Sequence, residues 1–430
     1  MSSKSKSARS GLTLIEIMVA LTMTLVVLGA MMLAFRYATT EIAGNRSIME
    51  LSNQLRNAQN LLRSDTNGVT VDVRPWSKTA SPNGYFELIE GSGSDNSFGV
   101  GAEGVRGDVD DILAMTVRSD ERPFRGRLNG NIVESDIAEV VWWTSFQDLN
   151  GNNQLEYDET VTLHRRVLLI RPDLNLAPGA ASPQEIQEFF LVNDISARVD
   201  ASGSLATNSL ADLARRENRF ARLSPALRGS PPGTLPSSAF DLQLGNAGGA
   251  SSVGDLGLRA FEMSAENLAS VTGGDPQLPA RAGDDVVLTD VLGFDLQVYS
   301  PGTLIREQDG VATEPDDLVY GGTAVAQGAY VDLGYTGFAA GTGPQFSSLP
   351  NPLSVGYVSY DTYSTHYESG GVGTDGIDND GNGVVDDNFE RVAFPPYPQR
   401  LRGMKATLRV VERKSKQVRQ VEVISSFVPE

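Results

Sequence analysis

The stretch RSGLTLIEIMVALTMTLVVLGAMMLAFR, Arg9 to Arg36, holds one acidic residue inside an otherwise apolar run. From Leu12 to Phe35 the only charge is Glu16. A helix of that length spans roughly 36 Å, enough to cross the hydrocarbon core of a bilayer. Lys4, Lys6 and Arg9 precede it, so the positive-inside rule keeps residues 1–11 on the cytoplasmic side. A plain secretory signal has a shorter apolar core, although Ala30 and Ala34 offer a cleavage context. A plain anchor has the right length but no use for a carboxylate, which costs about 2.5 kcal/mol or more inside the bilayer.

Within that stretch, SGLTLIEIMVAL resembles the N-terminal signature of type IV prepilins and type II secretion pseudopilins. The resemblance implies cleavage between Gly11 and Leu12 by a prepilin peptidase and N-methylation of Leu12. It also makes Glu16, fifth in the mature chain, an assembly residue. Physically, the lone carboxylate neutralises the terminal ammonium of a neighbouring subunit as helices bundle, and a buried charge is tolerated when it is paired.

The helical pattern continues past the apolar run. Ile48, Leu51, Leu55, Ala58 and Leu62 recur at three- and four-residue spacings, with Arg46, Glu50, Arg56 and Arg63 off the stripe. No proline interrupts residues 12–64, and Asp65 to Gly68 (DTNG) supplies a stop. The expected organisation is a leader at 1–11, a transmembrane and filament-core helix at 12–35, its amphipathic continuation at 36–64, and a head at 65–430.

Beyond Asp65 the period shortens. Asp110–Ser119, Ile137–Phe146 and Thr160–Ile170 are β-rich runs of strand length, and Asp284–Ser300 reads as one or two more. MKATLRVVE and VRQVEVISSF flank the charged turn RKSKQ as an antiparallel hairpin. The predicted fold class is α+β, pilin-like: a long N-terminal helix packed on a mostly antiparallel sheet. The order of DDILAMTVRS, EVVWWTS, TLHRRVLLI, DVVLTDVLGFDLQVY and LRGMKATLRVVE resembles the J-type minor pseudopilins and the related W-type minor pilins. Two stretches rich in glycine and small residues, 198–283 and 302–350, read as insertions or small subdomains, with a short helix in SLADLARRENRFARL.

Composition narrows the chemistry. The chain has 430 residues, a net charge of −19, no cysteine and two histidines, His164 and His366. This argues against nucleic-acid binding and excludes disulfides, thiolate metal sites and cysteine nucleophiles. No phosphate loop or nucleophile elbow occurs, RGD at Arg106–Asp108 is a chance-length match, and Asp110–Asp111 reads as a solvated strand edge. His164 reads as an edge or hydrogen-bonded strand histidine, and His366 as a surface loop residue.

Two loops have calcium spacing. In DLNGNNQLEYDE, Asp148, Asn150, Asn152, Gln154, Glu156 and Glu159 occupy positions 1, 3, 5, 7, 9 and 12 of an EF-hand-type loop. In DGIDNDGNGVVDDNFE, Asp378, Asp380, Asn382, Val384 (through its carbonyl) and Asp386 follow the same register, and Asp387 or Glu390 supplies the last carboxylate. Asp375 joins them, and the second loop resembles the short loops of dockerins and thrombospondin-type repeats. Calcium is thus the expected cofactor, in a structural role. The expected function is a non-enzymatic minor pseudopilin near the tip of a type II secretion pseudopilus, anchored once in the bacterial inner membrane with its head in the periplasm. Its expected partners are other pseudopilins or pilins, the prepilin peptidase and the inner membrane. The alternatives are a minor pilin priming a type IV pilus and a membrane-anchored calcium-binding adhesin or binding module.

Overall fold

A single helix, α1 (Leu14–Asn67), opens the chain. The computed structural model describes residues 13–73, 83–90, 107–147, 149, 159–176, 182–200, 202–215, 218–222, 258–271, 278–315, 320–333, 358–362, 400–413 and 415–428. The chain divides into two compact units, Met1–Asn53 with Glu412–Gln417, and Gln54–Val411 with Val418–Glu430. Within the first, the helical stretch Leu14–Tyr37 is apolar and long enough to span a bilayer, and its side chains are exposed.

The second unit contains the remaining elements. Its strands are β1 (Phe86–Glu90), β2 (Ile112–Arg118), β3 (Phe124–Leu128), β4 (Asn131–Ser135), β5 (Ile137–Phe146), β6 (Val161–Leu169), β7 (Ala197–Val199), β8 (Leu205–Thr207), β9 (Val286–Gln308), β10 (Val311–Thr313), β11 (Thr323–Val331) and β12 (Val358–Asp361). The C-terminal hairpin, β13 (Gly403–Glu412) and β14 (Gln417–Ser426), follows. Among the described residues, two further α-helices are α2 (Pro183–Val192) and α3 (Ala265–Ser270). Among the described residues a ten-stranded sheet runs β12-β1-β2-β5-β6-β9-β13-β14, with β10 and β11 also on β9. The strand pairs β1–β12, β1–β2, β2–β5, β5–β6, β6–β9, β9–β10, β9–β11 and β9–β13 within it are antiparallel, so the fold class is α+β.

Adjacent residues on a strand point to opposite faces, and the two tryptophans of β5 separate the layers. Trp142 Nε1 donates to Asp65 Oδ2 at 2.8 Å. The last turns of α1 therefore lie on that face, where Leu55, Ala58 and Leu62 are buried. The helix ends at Asn67, within the expected stop Asp65–Gly68, and Asp65 in its last turn is held from the sheet. Arg165 of β6 grips both of its oxygens at 2.7 Å, which offsets the unfavourable placing of an acid at a helix C-terminus. Trp143 faces the other way, into a core with Ile112, Ala114, Val141, Ile186, Phe190, Leu213, Phe220 and Phe261.

The described residues of 198–283 contribute Leu213, Phe220 and Phe261 to that core and form a third layer. Among its described residues, SLADLARRENRFARL contains the 3-10 turns Asp212–Ala214 and Phe220–Arg222 where a short helix was expected. Between them Arg219, fully buried, pairs with Glu87 of β1 and Asp361 of β12 at 2.8 Å each and lies 4.0 Å over the Tyr85 ring. Glu139 of β5 accepts from Tyr85 Oη at 2.8 Å, Ser196 Oγ at 2.5 Å and the Phe220 backbone at 2.8 Å. The stretch 302–350 supplies the end of β9, then β10 and β11, to the sheet.

Candidate functional site

The N-terminal signature falls partly within the described residues. Gly11 and Leu12 lie outside them. Glu16 starts α1 as the third residue of a reciprocal cap: its Oε2 accepts from the Thr13 backbone N–H at 3.0 Å and Thr13 Oγ1 at 3.1 Å, while Thr13 Oγ1 accepts from the Glu16 N–H at 3.4 Å. T-x-x-E is a capping box, satisfying helix N–H groups that have no partner within the helix. The signal was legible in TLIE. Deeper in the segment, Thr22 Oγ1 donates to the Met18 and Val19 carbonyls and Thr24 Oγ1 to Ala20, so neither hydroxyl needs a partner outside the helix.

Of the first calcium-spaced loop, Asp148, Asn150, Asn152, Gln154 and Glu156 lie outside the described residues. Glu159, its last position, is buried and accepts from the Leu149 N–H at 2.8 Å. That bond closes the loop between β5 and β6 end to end. The second loop, with Asp375, Asp378, Asp380, Asn382, Val384, Asp386, Asp387 and Glu390, lies outside the described residues, as does His366.

A group that no sequence spacing picks out comes together in the sheet. Carboxylate oxygens of Glu90, Asp108 and Asp111 lie within 4.8 Å of one another, all three buried. Backbone N–H groups hold one oxygen of each: Leu333 donates to Glu90 Oε2 at 3.1 Å, Asp110 to Asp108 Oδ1 at 3.1 Å, and Leu296 to Asp111 Oδ2 at 2.6 Å. Burial pushes all three well above the ordinary carboxylate range, and neighbouring acids push the same way. For Glu90 those neighbours are Asp111, Asp332, Asp108 and Asp295. The expected solvated edge at Asp110–Asp111 is therefore overturned, since Asp110 and Asp111 are 3% and 0% exposed. Asp108 and Asp111 are neighbours in the chain, and the pairing of β1 with β2 brings Glu90 to them.

His164 is not at an edge, because β6 lies between β5 and β9. Its Nε2 is 3.0 Å from Ser145 Oγ and 3.9 Å from Glu262 Oε1, and its Nδ1 is 3.5 Å from Asp285 Oδ2. Trp143 stacks on the imidazole at 5.2 Å. Burial opposes the imidazolium, but Asp285 and Glu262 outweigh it and hold His164 above its ordinary value. Asp285 is held below its own despite burial, chiefly through His164. The order Ser–His–Asp is that of an acyl-transfer triad. Here the three residues are 5%, 4% and 3% exposed and present no surface to a substrate. The geometry is that of an internal ion pair joining β5 and β6 to the third layer.

No family model matches the chain, and comparison with curated proteins and with solved structures gives no match.

Proposed function

We propose that this chain is a minor pseudopilin: a membrane-anchored structural subunit near the tip of a type II secretion pseudopilus. The observation that carries the reading is the lone carboxylate of Glu16 at the start of an uncovered apolar helix, immediately behind the Gly11–Leu12 signature. The helix continues without a break to Asn67, where its last turns are built into the head. A lone membrane anchor needs neither the acid nor the continuous shaft. A filament subunit uses both, the shaft for bundling and the acid to meet a neighbour's terminal ammonium. The third layer over the sheet favours a tip position, since a large head hinders lateral packing along a filament.

The capping box gives Glu16 a second role, and substitutions separate the two. Glu16→Gln retains an N3 side chain that serves a capping box but removes the charge. It should insert into the membrane and fail to assemble, as read by crosslinking to sibling subunits and by secretion of folded substrates. Normal assembly of Glu16→Gln would reduce the residue to a cap and sink the ion-pair reading. Gly11→Ala should block or slow maturation, with N-terminal sequencing of native protein expected to begin at methylated Leu12. A mature N-terminus well beyond Leu12 excludes the family reading. Deletion followed by parallel secretion and twitching assays separates this proposal from a type IV minor pilin.

A further inference from the structure

The chain carries a net charge of −19, yet residues 413–419, RKSKQVR, hold four basic residues and no acid. This run links β13 to β14. The acid beside it, Glu412, is engaged locally: its carboxylate accepts from the Ser415 backbone N–H. Arg413 and Lys416 are exposed, and so is every residue of β14 from Gln417 to Gln420. Successive strand residues face opposite ways. Exposure of four in a row means that this end of the hairpin stands clear of the core.

Two hydrogen bonds fix its direction. Gln59 Nε2 of α1 donates to the Glu422 carbonyl at 3.0 Å, and Thr66 Oγ1 shares a 2.7 Å hydrogen bond with Ser425 Oγ. β14 therefore runs the same way as α1, and its start points toward the apolar part of the helix. From Glu422 back to Lys416 a strand covers about 20 Å. That length equals about 13 helical residues and brings the turn level with Arg46, which is also exposed. Glu412–Gln417 accordingly belongs to the same compact unit as Met1–Asn53. The apolar stretch ends at Tyr37, roughly 14 Å of helix below Arg46. A headgroup layer fills roughly 5–8 Å of that height, and what remains is about one Debye length.

We propose that Arg46, Arg413 and Lys416 form a basic collar that meets the anionic headgroups of the leaflet from which α1 emerges. The inference rests on Leu14–Tyr37 spanning the bilayer. The rest of an acidic head is repelled by an anionic surface, so the collar is the part suited to face it. Each basic residue at such a surface strengthens association about fivefold. An acidic protein would also attract these charges, but their height beside the anchor favours lipid. Touching the surface at a second point sets the lean of the shaft, because the tilt of a spanning helix is fixed by its packing and its interfacial anchors.

The chain has no cysteine, so Ser415→Cys accepts a single fluorophore at the turn. The labelled full chain is reconstituted into phosphatidylcholine vesicles with and without phosphatidylglycerol. Both carry a trace of lipid with a nitroxide on its headgroup, which quenches at contact range, and fluorescence lifetimes count quenched and unquenched turns. Quenching should appear with phosphatidylglycerol and vanish in about 0.5 M salt, where the Debye length falls to about 4 Å. Arg46→Gln, Arg413→Gln and Lys416→Gln together should lower the quenched-to-unquenched ratio at least about tenfold. Arg46→Lys with Arg413→Lys, which keeps the charges, should leave it unchanged. Flotation with phosphatidylcholine vesicles after an alkaline wash reads the anchor separately. A chain that fails to float overturns the anchor and the contact together. A chain that floats, but is quenched equally in both lipids or equally after charge removal, overturns the contact alone. So does a turn that stays unquenched on vesicles and crosslinks through its charges to an acidic sibling subunit.

Discussion

Asp65 shows what one residue contributes when two neighbours hold it from the sheet. It is 2% exposed and bound by Trp142 and by both arms of Arg165. Asp65→Ala leaves the Arg165 guanidinium without its carboxylate, and a loss of about 3–5 kcal/mol is expected from urea unfolding of the detergent-solubilised chain. An unchanged midpoint would show that the clamp contributes nothing. His164 makes a pH-dependent prediction. Its value is raised above 6.5, so its contribution is complete below that pH and is lost as pH rises through the folded value. Asp285, depressed below 3.8, contributes above that value and loses its share as pH falls through its folded value. The stability difference between the native chain and His164→Gln should therefore be largest in mildly acidic solution and shrink as pH rises through the raised folded value. A difference that grows with pH contradicts the ion pair. Neither partner set was legible beforehand: Asp65 read as part of a helix stop and His164 as an edge or hydrogen-bonded histidine, with no partner identifiable for either because the partners are distant in sequence.

At the scale of elements, periodicity worked where one face is buried throughout. Ile137–Phe146 was expected as a strand and is β5 to the residue. The stripe Leu55, Ala58, Leu62 is buried as its spacing requires. Both signals are local. The helix α2 carries a Ser182–Glu185 capping box with Pro183 in its first turn, a start signal present in SPQE and passed over. The 3-10 turns around Arg219 had no such signal, since their stability comes from what Arg219 finds in the sheet. Arg219→Met alone leaves Glu87 and Asp361 facing each other in the interior, an expected loss of about 3–5 kcal/mol. Combining it with Glu87→Gln and Asp361→Asn should restore most of that loss, because burying no charge is cheaper than burying two of like sign. If the triple variant is no better than the single one, Arg219 acts through shape and the Tyr85 stack.

For the whole molecule, the two compact units predict separable behaviour. A chain beginning at Arg46 lacks the exposed apolar stretch Leu14–Tyr37 and should stay in solution without detergent. It should keep the cooperative melting transition and near-ultraviolet signal of the full chain, while loss of that transition would show that the first unit stabilises the second. The sequence by itself determined the apolar helix with its single acid, the α+β class and several strands, because each is written in the spacing of neighbouring residues. Only the tertiary structure decided that the small-residue stretch 198–283 contributes a third layer, and that Glu90 lies with Asp108 and Asp111 in the interior. The physical reason is register. Which residues meet across strands depends on pairings between segments far apart in the chain, and no local period records them.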